Sequence, residues 1–119
     1  MSNAVGPYSP ITRTGEWIIV SGQIGHIDGA LVEGGLERQL RQLFHNLRRL
    51  LVGEGAGLSD IVKTTVFLTD IDDYEQMNTI YIDEFKEHRP SRSAVAVLAL
   101  PLGAMVEIEA WAKAKTDEM

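Results

Sequence analysis

The chain has 119 residues, of which 45% are hydrophobic and 24% are charged, and its formal net charge is -6. This composition predicts one globular domain over residues 1–119, and the acidic balance argues against a nucleic acid or an anionic membrane as a partner. Because the chain has no cysteine, disulfides, thiolate nucleophiles and thiolate metal ligands are excluded.

The N-terminal segment is small and polar over Met1–Ala4, as a remnant of an expression tag would be. No signal-peptide pattern follows it, and no apolar run approaches the roughly 20 residues of a membrane span. The expected location is therefore the cytoplasm.

The first predicted elements are a strand and a loop. Two prolines keep Gly6–Pro10 out of helical conformations, and the β-branched run Trp17–Ile24 predicts a strand. Gly25–Gly35 is a predicted loop, with a turn at Asp28-Gly29 and room for a brief strand at Ala30–Val32.

Leucines at helical spacing then predict an amphipathic helix that ends near Gly53–Gly57. The apolar stripe consists of Leu36, Leu40, Leu43, Leu47, Leu50 and Leu51. Gly53–Gly57 follows the helix, whereas phosphate-binding loops precede one, so we expect a cap and a turn there. The polar face is expected to be solvated and balanced by acidic neighbours; its arginines are Arg38, Arg41, Arg48 and Arg49.

The second half of the chain predicts one more helix among three strands. Asp72 and Glu75 have the spacing of a capping box at the start of the helix, and Pro90 would stop it. A short connection around Pro101 joins the last two strands. The predicted strands are Ile61–Leu68, Ser91–Leu100 and Met105–Lys113.

This order of elements predicts an α+β fold with two helices on one face of a sheet. Residues 94–98 are apolar at both the even and the odd positions, so both sides of this strand are apolar, which indicates a strand that is buried on both faces. Two helices cover only one face, so the other must pack against further copies of the chain. The sequence therefore predicts a homo-oligomer.

Arg92 stands at the head of that apolar run and is the first candidate for a binding residue. An unpaired guanidinium is costly to bury, and its shape suits a carboxylate that accepts two parallel hydrogen bonds. One interpretation is a pocket for a small carboxylate-bearing molecule. The other, slightly favoured by this segment alone, is an internal salt bridge to an Asp or Glu.

Glu107 and Glu109 alternate with apolar residues and therefore share one face of the last strand. They are either a solvated strand face or a general acid/base near a pocket. If the last two strands form a hairpin, Arg92 pairs with Trp111 and Glu107 with Ala96. Arg92 and Glu107 are then roughly 13 Å apart and can meet only across a subunit interface.

Other common catalytic patterns are missing. His26, His45 and His88 have no metal-ligand spacing and are expected to have ordinary surface roles, so we predict no metal site. Neither a nucleophile elbow nor a phosphate-binding glycine motif is present.

Seven segments in order give the chain a resemblance to the RidA (YjgF-type) reactive-intermediate deaminase family, from Ala4 to Ala112. The segments are Gly6-Pro7-Tyr8-Ser9, Val20-Ser21-Gly22-Gln23, Gln39 with Asn46-Leu47, Asp60 to Leu68, Asn78 through Tyr81 to Phe85, Pro90-Ser91-Arg92-Ser93 and Val106 to Ala110. The resemblance implies a chorismate-mutase-like fold assembled as a homotrimer, with sites in the clefts between subunits. It also implies cofactor-independent hydrolysis of 2-imino and 2-enamino acids to 2-keto acids and ammonia.

The resemblance implies a role for each matching site residue. Arg92 would hold the substrate carboxylate, Glu107 would activate water and shuttle protons, and Ser21, Gly22 and Tyr8 would orient the substrate. Asn78 and Tyr81 would line the pocket or support it.

Two positions depart from the family pattern. Ala94 stands where many members have cysteine, which bears on substrate preference, and Gly25 stands where proline is common. Two alternatives stay open: a regulatory protein that binds small carboxylates without turnover, and an endoribonuclease or translation inhibitor. The acidic charge counts against the second.

Overall fold

The computed structural model describes residues 6–115, so the expectation for Met1–Ala4 lies outside the described residues. The elements are β1 (Ile11–Thr14), β2 (Trp17–Gln23), β3 (His26–Ile27), β4 (Ala30–Leu31), α1 (Gly35–Val52), β5 (Ile61–Leu68), α2 (Tyr74–Phe85), β6 (Ser91–Ala96) and β7 (Val106–Lys113). Five strands form one mixed sheet in the order β1-β2-β7-β5-β6, and β3 pairs with β4 in a small hairpin. The predicted α+β class is confirmed.

The elements of the first half largely match the sequence pattern. The predicted turn at Asp28-Gly29 is confirmed, since both residues have positive φ and they join β3 to β4. The short strand β1 was not predicted, because its alternation of Thr and Arg leaves it almost wholly exposed and gives no apolar pattern.

Helix α1 buries most of the predicted leucine stripe. Leu50 is only partly buried, whereas the other five are nearly inaccessible to solvent: Leu36, Leu40, Leu43, Leu47 and Leu51. The helix ends in a glycine turn in which the amide of Ala56 donates to the carbonyl of Leu51, and Gly55 has a φ of 74°. The prediction of a cap and turn at Gly53–Gly57 is confirmed.

The boundaries of α2 differ from the prediction. The Asp72 capping box is wrong, because Asp70 accepts from the Asp72 amide at 2.9 Å and caps a short 3-10 turn that precedes the helix. The helix then ends at Phe85, where Lys86 has a φ of 61°, and Pro90 lies beyond that end. Asp70 and Asp72 are both residue types that can cap a helix, and their spacing in the sequence does not tell which of them does so.

The last two strands do not form a hairpin, so the predicted pairing of Arg92 with Trp111 and of Glu107 with Ala96 is wrong. β6 runs parallel to β5 at the sheet edge, whereas β7 lies between β2 and β5 and is antiparallel to both. The strand β6 also ends at Ala96, well before the predicted Leu100. The segment from residue 97 to 105 therefore crosses over β5 instead of turning back beside β6.

One face of the sheet carries the core and both helices, as predicted. The inward positions of β7 are completely buried; they are Val106, Ile108, Ala110 and Ala112. Against them packs an aromatic cluster in which the ring of Phe44 meets those of Tyr81 and Phe85 edge to face. Such pairs add roughly 0.5–1.5 kcal/mol beyond the burial of their surface.

The other face of the sheet is open in the single chain. Trp17 and Trp111 lie on it in a T-shaped pair, with 39% and 43% of their surfaces exposed. In the single chain β6 is an edge strand and Val95 is exposed, so burial of this strand on both faces by further copies of the chain stays a prediction. Within residues 6–115, no helix is long and apolar enough to cross a membrane.

Candidate functional site

Arg92 lies on β6 opposite Thr64 of β5, on the face that carries the helices. Its guanidinium carbon is 4.9 Å from the ring centroid of Tyr81 and 5.5 Å from that of Tyr74. One guanidinium nitrogen donates to the Tyr74 hydroxyl at 3.0 Å, and another lies 3.9 Å from the sulfur of Met77.

The internal salt bridge considered for Arg92 is therefore wrong. Among residues 6–115, no Asp or Glu oxygen lies within ion-pair distance of this guanidinium. Stacking on tyrosine rings orients the group without neutralising its charge. A partly buried arginine in this state is suited to an anion that comes from outside the chain.

A cavity of about 270 Å³ opens beside Arg92, and a second arginine, Arg89, also lines it. Asn78, expected to line the pocket, lines this cavity, and its side-chain oxygen is buried with no hydrogen-bond partner within residues 6–115. Tyr81 forms another wall, and its hydroxyl is 2.7 Å from that of Thr64. Sequence reasoning missed Arg89, although its position three residues before Arg92, across Pro90, was a usable signal.

Glu107 lies on β7, on the open face of the sheet and against β2. A Cβ atom at Gly22 would lie 2.7 Å from the carboxyl carbon of Glu107, so a larger residue at position 22 would displace the Glu107 carboxyl from its present place. The Glu107 carboxyl is about half buried, and this burial raises its pKa. The negative charge of Glu109, on the same face, raises the pKa of Glu107 further.

The pKa of Glu107 predicts a pH-dependent effect of Glu107→Gln on stability. The folded state binds the Glu107 proton more tightly than the unfolded chain does. Protonated Glu107 therefore stabilises the fold at pH values below its pKa in the unfolded chain, and this contribution is lost as the pH rises through its pKa in the folded state. We expect Glu107→Gln to raise the free energy of unfolding relative to wild type at neutral pH, and by less below about pH 4. Urea unfolding at both pH values measures the difference in the free energy of unfolding between Glu107→Gln and wild type. An equal difference at both pH values would contradict this expectation.

Ser21 ties the N-terminal segment to β2 next to this carboxylate. Its hydroxyl donates to the Ser9 carbonyl at 2.7 Å, and its amide donates to the Pro10 carbonyl at 2.9 Å. These bonds occupy both the hydroxyl and the amide of Ser21, so Ser21 fixes the segment that carries Tyr8. Tyr8 itself is 47% exposed. The predicted residues Ser21, Gly22 and Glu107 thus lie together, and Tyr8 lies on the adjoining segment.

Arg92 does not join this group within one chain. Arg92 is level with Ala110, whereas Glu107 lies three residues further along β7, with β5 between the two strands. At about 4.8 Å per strand and about 3.3 Å per residue, the Cα atoms of Arg92 and Glu107 are roughly 14 Å apart. Their side chains also project from opposite faces of the sheet.

Among residues 6–115, no three His, Asp or Glu side chains converge as metal ligands would. His88 has a structural contact instead, since its Nε2 lies 2.7 Å from the carbonyl of Ile61.

Comparisons with known proteins agree with this fold. The family model described as Endoribonuclease L-PSP matches residues 1–114. The 2-iminobutanoate/2-iminopropanoate deaminase of Homo sapiens is 42% identical over 111 residues, which cover 92% of this chain and 81% of the human protein.

Two solved structures show the same similarity. RidA from the Antarctic bacterium Psychrobacter sp. PAMC 21119 has a TM-score of 0.89 at 37% identity, with 93% of this chain and 91% of that chain covered. E. coli TdcF, solved with bound serine, has a TM-score of 0.87 at 35% identity, with coverage of 94% and 91%.

Proposed function

Because the chain belongs to the Endoribonuclease L-PSP family, which is the RidA/YjgF family that its sequence resembles, we propose that it hydrolyses 2-imino acids and their 2-enamino tautomers to 2-keto acids and ammonia. No cofactor takes part in the proposed reaction. The protein acts in the cytoplasm in this proposal and removes reactive intermediates of amino-acid metabolism.

The observation that carries the proposal is the Arg92 guanidinium, which is stacked on two tyrosines, has no carboxylate partner among residues 6–115 and lines a cavity. A 2-imino acid has a carboxylate adjacent to its reactive carbon, so holding the carboxylate also fixes the position of that carbon. A relative that was crystallised with serine supports binding of a small amino-acid-like carboxylate in this family.

Glu107 supplies the acid and base of the proposed reaction. Its carboxylate takes a proton from water as the water oxygen adds to C2 of the protonated imine, which gives a carbinolamine. Glu107 then returns that proton to the nitrogen, the C–N bond breaks, and ammonia leaves. The hydroxyl proton is lost as the ketone forms, and a carboxyl with a raised pKa suits both transfers.

The proposed site needs a second copy of the chain, since Arg92 and Glu107 leave opposite faces of one sheet. The open face, with its exposed Trp17 and Trp111, offers the apolar surface for that contact. We retain the homotrimer as part of the proposal. Three copies of 13.2 kDa would give a particle of about 40 kDa by light scattering, and a monomer would overturn it.

Mixing two inactive variants tests whether Arg92 and Glu107 of one site come from different subunits. In oligomers assembled from equal amounts of Arg92→Ala and Glu107→Gln chains, each residue is intact with a probability of one half. About one quarter of the sites should then have both residues, and about one quarter of wild-type imine hydrolysis should return.

The control replaces the Glu107→Gln chain by the double variant, so that Arg92 is missing from every site and no activity should return. Mass spectrometry of the intact oligomers verifies that mixed assemblies formed. If mixed assemblies form and remain inactive, the two residues do not come from different subunits.

The assay for the function itself follows imine decay. An amino-acid oxidase generates 2-iminopropanoate or 2-iminobutanoate in solution, and semicarbazide trapping reports the imine that remains. Faster loss of the imine with wild-type protein supports the proposal. An unchanged rate over a range of imines, at protein concentrations where the oligomer is present, would overturn it.

A second candidate function is binding of a small carboxylate without turnover, which the serine complex of TdcF favours. It also predicts loss of binding in Arg92→Ala, but no ammonia release by wild type. The endoribonuclease alternative, suggested by the family description, requires RNA cleavage that disappears in Glu107→Gln.

A further inference from the structure

The arginines of helix α1 divide into two pairs. Arg41 donates to Asp83 at 2.6 Å and to Glu84 at 2.8 Å, and Arg48 also pairs with Glu84. These three ion pairs join α1 to α2 and confirm the expected acidic balance for half of the basic face. The other two arginines, Arg38 and Arg49, have no acidic partner among residues 6–115.

Arg38 and Arg49 line a cavity of about 410 Å³ between α1 and the β3–β4 hairpin. Gln42 and His45 lie between them on the same face of the helix, at positions spaced by three and four residues. This volume lies within the range of small-molecule pockets, about 300–1,000 Å³. Neither Arg92 nor Glu107 is part of its lining, so the cavity is separate from the proposed imine site.

His26 lines the same cavity and contributes a ring N–H donor. The surface role expected for His26 is wrong, since this residue is only 6% exposed and its Nδ1 accepts from the Gly29 amide at 3.2 Å. Because Nδ1 is the acceptor, the ring proton is on Nε2. Among residues 6–115 that N–H makes no hydrogen bond, so it can donate to a ligand that accepts.

The wall that holds His26 is fixed in place. The side-chain amide of Asn46 donates to the carbonyls of Ile24 at 3.2 Å and His26 at 3.0 Å, and its oxygen accepts from Gln42. A Cβ atom at Gly25 would lie 2.2 Å from a backbone oxygen of α1, so the hairpin can follow the helix only with glycine there. Glycine at position 25, where proline is common in the family, thus occurs together with close packing of the β3–β4 hairpin on α1.

The charge of the cavity is opposite to that of the whole chain. The formal net charge is -6, yet Arg38 and Arg49, which have no acidic partner among residues 6–115, line the cavity together with a single carboxylate, Asp28. Arg41 also lines it, and its charge is paired with acidic residues of α2. Guanidinium groups bind phosphate oxygens through paired hydrogen bonds, and the His26 N–H adds a donor to the same lining. Asp28 can accept from a hydroxyl or an amino group of the ligand.

From these contacts we propose that the cavity between α1 and the β3–β4 hairpin binds a small organic polyanion of the phosphate-ester class. Inorganic pyrophosphate is the probe, because it carries the charge without the organic part. In titrations of the ¹⁵N-labelled full chain at constant ionic strength, the amide signals of Gly29, Gln42 and His45 should shift and saturate. A glucose phosphate, tested beside free glucose, then shows whether the organic part adds affinity.

Matched arginine variants locate the binding. Arg38→Gln combined with Arg49→Gln should weaken pyrophosphate binding at least about tenfold, since charge-assisted hydrogen bonds are lost. Arg48→Gln removes the same charge from the same helix outside the cavity, and it should change the affinity by less than about twofold. His26→Gln should also weaken binding while the protein stays folded.

Two outcomes would overturn this proposal. One is a set of shifts that rises linearly with pyrophosphate and never saturates, and the other is an equal loss of affinity in Arg48→Gln and in the double variant. Imine hydrolysis is measured in parallel and should be unchanged in the double variant. The anion site and the proposed function therefore succeed or fail separately.

Discussion

Replacing Arg92 by alanine is expected to reduce kcat/KM for 2-iminopropanoate at least about 100-fold. Arg92 would hold the substrate carboxylate through two charge-assisted hydrogen bonds, each worth about 1.5–3 kcal/mol, and about 1.4 kcal/mol corresponds to a tenfold change. The guanidinium is already oriented by Tyr74 and Tyr81, so little of this energy is spent on ordering it. Imine decay with semicarbazide trapping measures the loss.

Three further variants and measurements distinguish this effect from general damage. Arg92→Lys keeps the charge but not the paired hydrogen bonds, so it should recover only part of the activity. Arg13→Ala removes an exposed arginine whose distance to Glu54 is 3.8 Å, and it should leave the activity unchanged. Circular dichroism verifies the fold, since Arg92→Ala also loses its contacts with tyrosine rings. Full activity in folded Arg92→Ala would remove Arg92 from the site.

Replacing Glu107 by glutamine is expected to reduce kcat by about 10²–10⁴-fold, the usual contribution of a positioned acid or base. Glutamine has nearly the same shape as Glu107 and fits against Gly22, but it cannot accept and return a proton. Binding of serine, used as an unreactive carboxylate probe, should remain within about threefold of wild type, because Arg92 is intact. Calorimetric titration measures the binding, and trapped imine measures the rate.

The pH profile gives a second test of the same role. If the Glu107 carboxylate is the base, wild-type kcat falls as pH drops through its raised pKa, because the carboxyl then becomes protonated. The charge of Glu109 is one cause of that raised pKa, so Glu109→Gln should move the acid limb of the profile to lower pH while the activity near neutral pH is retained. An acid limb that stays in place would show that another group sets it.

Local periodicity in the sequence determined a large part of the molecule. The leucines of α1 recur at the helical period, and that period alone placed them in the core. The alternation along β7 placed Glu107 and Glu109 on one face, because successive side chains of a strand point to opposite sides whatever the strand pairs with. The family also followed from short segments in a fixed order.

Pairing between distant segments was decided only by the tertiary structure. The sequence carries no signal for the insertion of β7 between β2 and β5, so an assumed hairpin gave the wrong neighbours for Arg92 and Glu107. For the same reason the sequence could not determine what Arg92 contacts. Its guanidinium packs on tyrosine rings and not beside an acidic side chain. Periodicity is a property of neighbouring residues and can be determined from them, whereas strand order and side-chain partners depend on how all elements pack together.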